Sequence, residues 1–543
     1  MSVRYLDDRI LLTETHAWAY YRLPTHAYEF LTPAEREAMA INITVALAAI
    51  RLPDTEVHLR VAHRSYPAAE WAARLDATSD GGPGWRDYLD EMYSHVWSKD
   101  FWSKEVYLGV RLGQRGMRAQ LSGGVFAQFI NAYRASEQAL GINDEAVPAA
   151  EIARWTDQSE RLGRSLAGSA LGARHATNTE VAWLFRHALA GTMGEAPPSS
   201  VRRRKWGAGE IEALLEGQVH NGRTMLRLER PDGESFVAFL SFSRFPDVMS
   251  FPEGEPWLHF ADSLPFAVEI SSRMRLISPA KASKDVGHRL AHARDMDAHI
   301  REAGVDMPLA LAEQLEAARL LEHGITKERL PFVYGWHRLA VAAPTKELCQ
   351  RRVEALVEHY RDIGIDGVNS SGDQFALLRE SLPGEGVHLS SYVQRQPLYT
   401  IAGGVPTATV ALGDQPAGGL TDDHADPAER QIDEWVGPFI GEALGRARSI
   451  VHFDPLLAAV RNRPTAVAIT GEPGGGKTTL ALLLIAQLAL RGVTIAVIDP
   501  KGDAESLVGV LQARRRRSRR ACQSRCPGRH AATLRCPGRP GRR

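Results

Sequence analysis

Thr465-Ala-Val-Ala-Ile469, followed by Gly471-Glu472-Pro473-Gly474-Gly475-Gly476-Lys477-Thr478-Thr479, is the stretch on which the reading of this chain turns. The first five residues form a short apolar segment that reads as a strand. The next nine match G-x-x-x-x-G-K-[ST] in full. A helix is predicted from Thr479 to Arg491, ended by Gly492 at a C-cap position. A second apolar strand is predicted over Val493–Ile498, closing on Asp499. Strand, glycine loop, helix and strand in this order make the context that a phosphate-binding loop requires. A glycine-rich turn without nucleotide is the bland alternative.

The residue types suit the chemistry. Backbone N–H groups can approach phosphate oxygens only where side chains are absent, as at Gly474, Gly475 and Gly476. Those amides form an anion nest, reinforced by the positive end of the following helix. Lys477 is expected to reach the β- and γ-phosphates of ATP, and Thr478 to place its hydroxyl on Mg²⁺. Thr479 is expected to donate to the α-phosphate. The helix is apolar almost all round, which predicts burial against a parallel sheet.

Hydrolysis needs a carboxylate on the metal and usually a second one to orient the attacking water. Ile495-Ala-Val-Ile-Asp499 has the shape of such a metal-binding strand, but it follows the loop helix directly and Pro500 comes next. Asp499 is therefore read either as a Mg²⁺-shell residue or as a strand-end residue near the site. No downstream segment supplies another candidate, and the catalytic residues stay unassigned. A doubly wound sheet needs about five strands; this region offers two clear ones.

The rest of the chain is long enough for two to four domains at 543 residues, and 44% hydrophobic content allows proper cores. Residues 1–190 read as a mixed α/β region, with a Val3–Leu6/Ile10–Thr13 hairpin. Thr32-Pro33-Ala34-Glu35 is a capping box that opens a helix to about Ile50. Strands are expected at Val57–Val61 and Val106–Leu112, and helices at about 125–140, 147–169 and 176–190. Residues 191–208 read as a linker whose Arg202–Lys205 run is a solvated face, or a contact for anionic lipid or DNA. Residues 209–400 read as a second α/β region, with strands at Phe236–Phe242, Phe266–Ile277 and His337–Ala342. Helices are expected there at 282–303, 308–323 and Glu347–Ile363, which suggests a small sheet with helices on one side. Residues 411–434 read as another linker, and 436–512 as the opening part of a third domain. No internal repeat is evident.

At this point the residues resemble a family. Gly437-Pro-Phe-Ile-Gly441, Val451-His-Phe-Asp454, the glycine loop and Val497-Ile-Asp-Pro-Lys-Gly-Asp503 look like the conjugative-transfer and type IV secretion ATPases of the TraC/TrbE/CagE class. These belong to the wider HerA–FtsK group of P-loop motors. Leu339-Ala-Val-Ala-Ala343-Pro344 and Gln374-Phe-Ala-Leu-Leu-Arg-Glu-Ser-Leu-Pro383 resemble the end of that class's N-terminal region. The resemblance implies an α/β N-terminal assembly region followed by the beginning of a RecA-like P-loop NTPase domain. It further implies secretion or conjugation apparatus proteins as partners, and a hexamer in the intact motor. A DNA-pumping motor and a non-catalytic nucleotide-binding scaffold or truncated remnant are the alternatives.

Charge and cysteine are lopsided. Residues 513–543 hold twelve Arg and no Asp or Glu, which leaves 53 basic and 65 acidic residues in 1–512, a net of −12. An acidic body argues against a surface that coats nucleic acid generally. Three readings of the tail compete: a shifted reading frame past residue 512, a disordered basic arm on nucleic acid, and a zinc site from Cys522, Cys526, His530 and Cys536. Cys349 stands alone in the body, as expected of a reducing cytosol. No run approaches the roughly 18 apolar residues of a membrane span. A cytoplasmic protein is therefore expected, with attachment to the inner face of the membrane through partners. The aromatic cluster Tyr93, Trp97, Phe101, Trp102 and Tyr107 reads as core or subunit contact.

Overall fold

The computed structural model describes residues 3–507 except 116–146, 193–205, 208–216, most of 285–330, 410–436 and scattered short gaps. The predicted helices at 125–140 and 308–323 fall outside the described residues, as do most of 282–303, the linker 411–434, the Arg202–Lys205 run and the tail 513–543.

A meander of β1 (Val3–Asp7), β2 (Ile10–Thr13) and β3 (His16–Leu23) opens the chain. After the two-residue β4 (His26–Ala27), the capping box starts α1 (Pro33–Ala48). Glu35 N donates to Thr32 Oγ1 at 3.4 Å, and Thr32 N donates back to Glu35 Oε2 at 2.8 Å. Then come β5 (Glu56–Ser65), α2 (Ala68–Ala77), α3 (Trp85–Trp97), β6 (Trp102–Gln114), α4 (Ala149–Ala167), β7 (Arg174–His175) and α5 (Asn178–His187). A second lobe follows β8 (Trp206–Gly207). It contains β9 (Gln218–Asn221), β10 (Leu226–Arg230), β11 (Gly233–Arg244), β12 (Glu269–Ile277), β13 (Phe332–Ala343), α6 (Lys346–Arg361), β14 (Asp366–Val368), α7 (Gln374–Ser381) and β15 (Gln394–Pro397).

Two expectations are corrected here. The region 209–400 does not carry a small sheet of its own. It shares one 14-stranded sheet with the first region, because β5 pairs antiparallel with β12, Val61 opposite Ile270 and Glu56 opposite Arg275. The molecule also contains an internal repeat. The strand order β1-β2-β3-β6-β5 is mirrored across that pair as β12-β13-β11-β10-β9. In each lobe a meander is followed by the junction strand, an inserted strand, a helix, a short strand and a second helix. The short strands β7 and β14 pair with the third meander strands, β3 and β11. Leu184-Phe-Arg186-His-Ala-Leu189 in α5 and beyond echoes Leu377-Leu-Arg379-Glu-Ser-Leu382. That six-residue trace is too short to be legible without the topology.

The central strands are buried on both faces, so burial along β5 and β13 does not alternate from residue to residue. One face holds the main apolar core, around Leu59, Leu108, Ile270, Val333 and Leu339. The other carries buried ion pairs. Arg22 Nη1 bonds Glu180 at 2.9 Å and Arg22 also meets Glu105; Arg338 Nε bonds Glu380 at 3.0 Å. The junction is crossed by charge as well. Arg60, His63, Lys104 and His187 come from the first lobe, and the carboxylates they meet, Asp262 and Glu269, come from the second. Of the aromatic cluster, Phe101 and Tyr107 are buried, whereas Trp97 is 68% exposed. No described helix is long and apolar enough to cross a membrane.

Candidate functional site

The glycine loop runs from Gly471 into α8 (Lys477–Leu490). Gly474 and Gly476 both sit at φ +79°, a left-handed conformation that side chains resist. Space around both is open, since an added Cβ would meet no atom within 4 Å. Gly475 N donates to Glu472 O at 3.0 Å, closing the turn through Pro473. Gly476 is the N-cap of α8 and no side chain caps the helix. The first-turn amides thus have no side-chain acceptor, and the hydroxyl-bearing Thr478 and Thr479 are exposed beside them. Lys477 folds back over the loop, donating from Nζ to Gly471 O at 2.9 Å and Glu472 O at 2.6 Å. Every residue from Gly471 to Thr479 therefore belongs to one cradle. Its uncapped amides, glycine-made space and single ammonium fit a polyphosphate such as that of ATP.

Asp499 does different work. Its Oδ1 accepts from Lys501 N at 3.0 Å and its Oδ2 from Ala504 N at 2.7 Å. These backbone amides, Ala504 foremost, hold its carboxyl below the ordinary aspartate range. The residue organises the turn after the apolar segment, and no hydrogen bond links it to Thr478 or Lys477 among the described residues. No cluster of three metal-ligating side chains occurs among the described residues.

The flanking segments depart from expectation. Thr465–Ile469 and Val493–Ile498 form no strand ladder. Ile498 is 95% exposed and Val497 48%. A strand exists only through a partner that takes its backbone hydrogen bonds, and none of the described residues pairs with either segment. The described residues therefore show no RecA-like sheet, and the fold seen is mixed α/β with one large antiparallel sheet. The helix is likewise not buried all round: Leu484, Gln487, Leu488 and Leu490 are buried, while Leu483 is partly exposed.

The buried end of α8 is docked on the first lobe rather than on a sheet of its own. A hairpin of β17 (Phe439–Ala443) and β18 (Ser449–His452) mediates this, with β16 (Ala408–Thr409) paired to β4 earlier in the chain. Leu490 and Ile450 pack with Trp71, Trp85 and Phe101 from α2, α3 and the loop before β6. Gly82 N donates to Leu490 O at 2.9 Å and Ser79 Oγ to Arg491 O at 3.3 Å. The loop between α2 and α3 thus satisfies the C-terminal carbonyls of α8. Gly82 is obligatory there, because a Cβ would lie 2.9 Å from Leu490 O. Arg491 Nη1 pairs with the buried Asp454 at 3.2 Å. His452 stacks on Trp71 with centroids 5.8 Å apart, and burial lowers its pKa to about 4, so it is neutral and bonds Gly437 O through Nδ1. Sequence reasoning missed this dock. Its one signal was Gln487, a polar residue inside the apolar run Leu480–Leu490.

No family model matches the chain. The chain is similar to the uncharacterized protein YddE of Bacillus subtilis (strain 168), 23% identical over 299 residues. The match covers 52% of this chain and 33% of that protein, so the chain spans about a third of the relative's length. A likeness at this level assigns no family.

Proposed function

We propose that this chain is an ATP-binding component of a conjugative or type IV secretion machine, within the TraC/TrbE/CagE class. Gly471–Thr479 hold the triphosphate and Thr478 serves Mg²⁺. The observation that carries the reading is the cradle itself: left-handed Gly474 and Gly476 lead into an uncapped helix whose first residue is Lys477. When bound, the metal would screen the phosphate charge, and the loop amides and Lys477 would hold the phosphates in place. A RecA-like domain built around the nucleotide segment would form a hexamer and work at the cytoplasmic face of the membrane through apparatus proteins. A DNA-pumping motor of the HerA–FtsK type shares the same site chemistry.

A second reading, a nucleotide-binding scaffold without turnover, is favoured by two observations. Among the described residues the segments flanking the loop lack ladder partners, and both oxygens of Asp499 are engaged by backbone amides. Mg²⁺-dependent ATP binding and turnover on the full chain, with Lys477→Ala alongside, separate the readings. Turnover lost in the variant supports a working ATPase. Binding lost in the variant, with no turnover in either protein, supports the scaffold. Absence of ATP binding to the unaltered chain sinks both.

A further inference from the structure

A cavity of about 110 Å³ opens beside the lobe junction, far in sequence from the glycine loop. Its apolar wall is made by cross-strand pairs, Val237 opposite Ala342 and Phe239 opposite Ala340. The hollow exists because two alanines stand where larger residues would fill the layer. Gly191 and Thr192 border it, held by Ser235, whose Oγ accepts from Thr192 N at 3.0 Å. Gly191 sits at φ +57°, and a Cβ there would lie 2.3 Å from that oxygen.

The charged lining is unbalanced. Glu269 is compensated three times, by His63 N at 2.8 Å, Arg60 Nη2 at 3.3 Å and His187 Nε2 at 3.1 Å. The nearby Asp262 is taken by Lys104 at 2.9 Å and His259 at 2.8 Å. Arg352, reaching in from α6, has no such partner: its Nη1 donates to Ala342 O, its guanidinium lies 5.2 Å from the Phe266 ring, and no carboxylate pairs with it among the described residues. Burial pulls its pKa below the ordinary arginine range, the cost of a cation without an anion. Arg60 Nε, also in the lining and buried, has no hydrogen-bond partner among the described residues.

We propose that this cavity binds a short-chain monocarboxylate, its carboxylate on Arg352 and its aliphatic end against Phe239 and Ala340. The guanidinium fork matches a carboxylate. The apolar wall favours an alkyl group over the all-polar surface of phosphate. An apolar cavity of about 150 Å³ holds benzene, so this smaller one encloses roughly four or five non-hydrogen atoms, enough for propionate or for all but the outermost atom of butyrate. The site is independent of the glycine loop and of the function proposed for it.

Isothermal titration of the full chain with propionate, butyrate, butanamide and inorganic phosphate tests this. Arg352→Met, Arg352→Lys and Ala340→Leu are measured beside it, each checked for folding by circular dichroism. Saturable one-to-one binding of a carboxylate is expected, with none for butanamide. Arg352→Met should weaken it by at least about tenfold, and Arg352→Lys should retain part of it. Ala340→Leu, which fills the hollow, should block it. If Arg352→Met fails to fold, Ala340→Leu decides. No saturable carboxylate binding, binding unchanged in Ala340→Leu, or phosphate binding tighter than butyrate would each overturn the proposal.

Discussion

Gln487 and Phe439 close a two-bond ring: Gln487 Nε2 donates to Phe439 O at 2.6 Å, and Phe439 N donates to Gln487 Oε1 at 2.9 Å. One amide side chain on α8 thus pairs with a strand backbone as a neighbouring strand would. Tyr88 of α3 also donates to Gln487 Oε1. The residue joins α8, the hairpin and the first lobe at a single point.

Gln487→Leu keeps the volume and removes all three bonds, leaving both backbone groups of Phe439 unsatisfied. A loss of about 2–4 kcal/mol is expected for the docked unit. Hydrogen exchange at the Phe439 and Gly82 amides reads it directly. Both should lose protection, while the β5–β12 junction keeps its own. Unchanged protection at Phe439 would show that the ring contributes nothing.

Gly476→Ala separates strain from space. The position is at φ +79° with nothing near its Cβ, so only the backbone resists, at about 1–2 kcal/mol. Melting should shift slightly, whereas ATP binding should fall far more, because the loop amides would turn from the phosphates. Lys477→Ala should leave melting within about 0.5 kcal/mol, since its two bonds are to partly solvated carbonyls. A large melting shift in Lys477→Ala would mean that the loop is held by this side chain rather than by its glycines.

Acid should weaken the first lobe through Glu180. Burial alone would raise its pKa, but Arg174 and Arg22 outweigh burial and bring it down to about 2. A depressed carboxyl stabilises above its unfolded value near 4.5, and that stability drains as pH falls towards 2. The contribution near neutrality is roughly 3 kcal/mol. Glu269 acts in the same direction, held low by His187, His63 and Arg60 against burial. His63 runs the other way: its raised pKa gives stability that is present below pH 6.5 and lost as pH rises through the folded value. Denaturation across pH 2–8 should show the acid loss, and Glu180→Gln should flatten it while lowering stability at pH 7. An equal acid slope in both proteins would remove Glu180 from the account.

Cys349 should be silent until the chain unfolds. It is buried at the start of α6, and burial pushes its thiol up to about 11. The thiolate fraction at neutral pH is then on the order of 10⁻⁴. With Cys522, Cys526 and Cys536 replaced by Ser, thiol labelling should track global unfolding. Fast labelling under native conditions would show that α6 opens locally.

Much of the local structure was legible. The Thr32–Glu35 capping box, the helices α4, α5 and α6, and the strands β5, β6, β11 and β13 follow from hydrophobic period and cap chemistry. Their causes lie within a few residues of one another. The glycine loop was legible for the same reason, because left-handed positions, open space and the adjacent lysine are all written in nine consecutive residues.

What the sequence alone determined is thus the kind of most elements and the left-handed glycine turn that leads into Lys477. Tertiary structure alone decided that β5 meets β12 and makes one sheet of two apparent regions. It alone decided that the lobes repeat, that Thr465–Ile469 and Val493–Ile498 have no ladder partner among the described residues, and that Gln487 anchors α8 to the first lobe. The physical reason is common to all four. Strand pairing, ion pairs across the junction and helix docking join residues from about 50 to 400 positions apart, and nothing in the local sequence specifies which distant backbone will accept the bond.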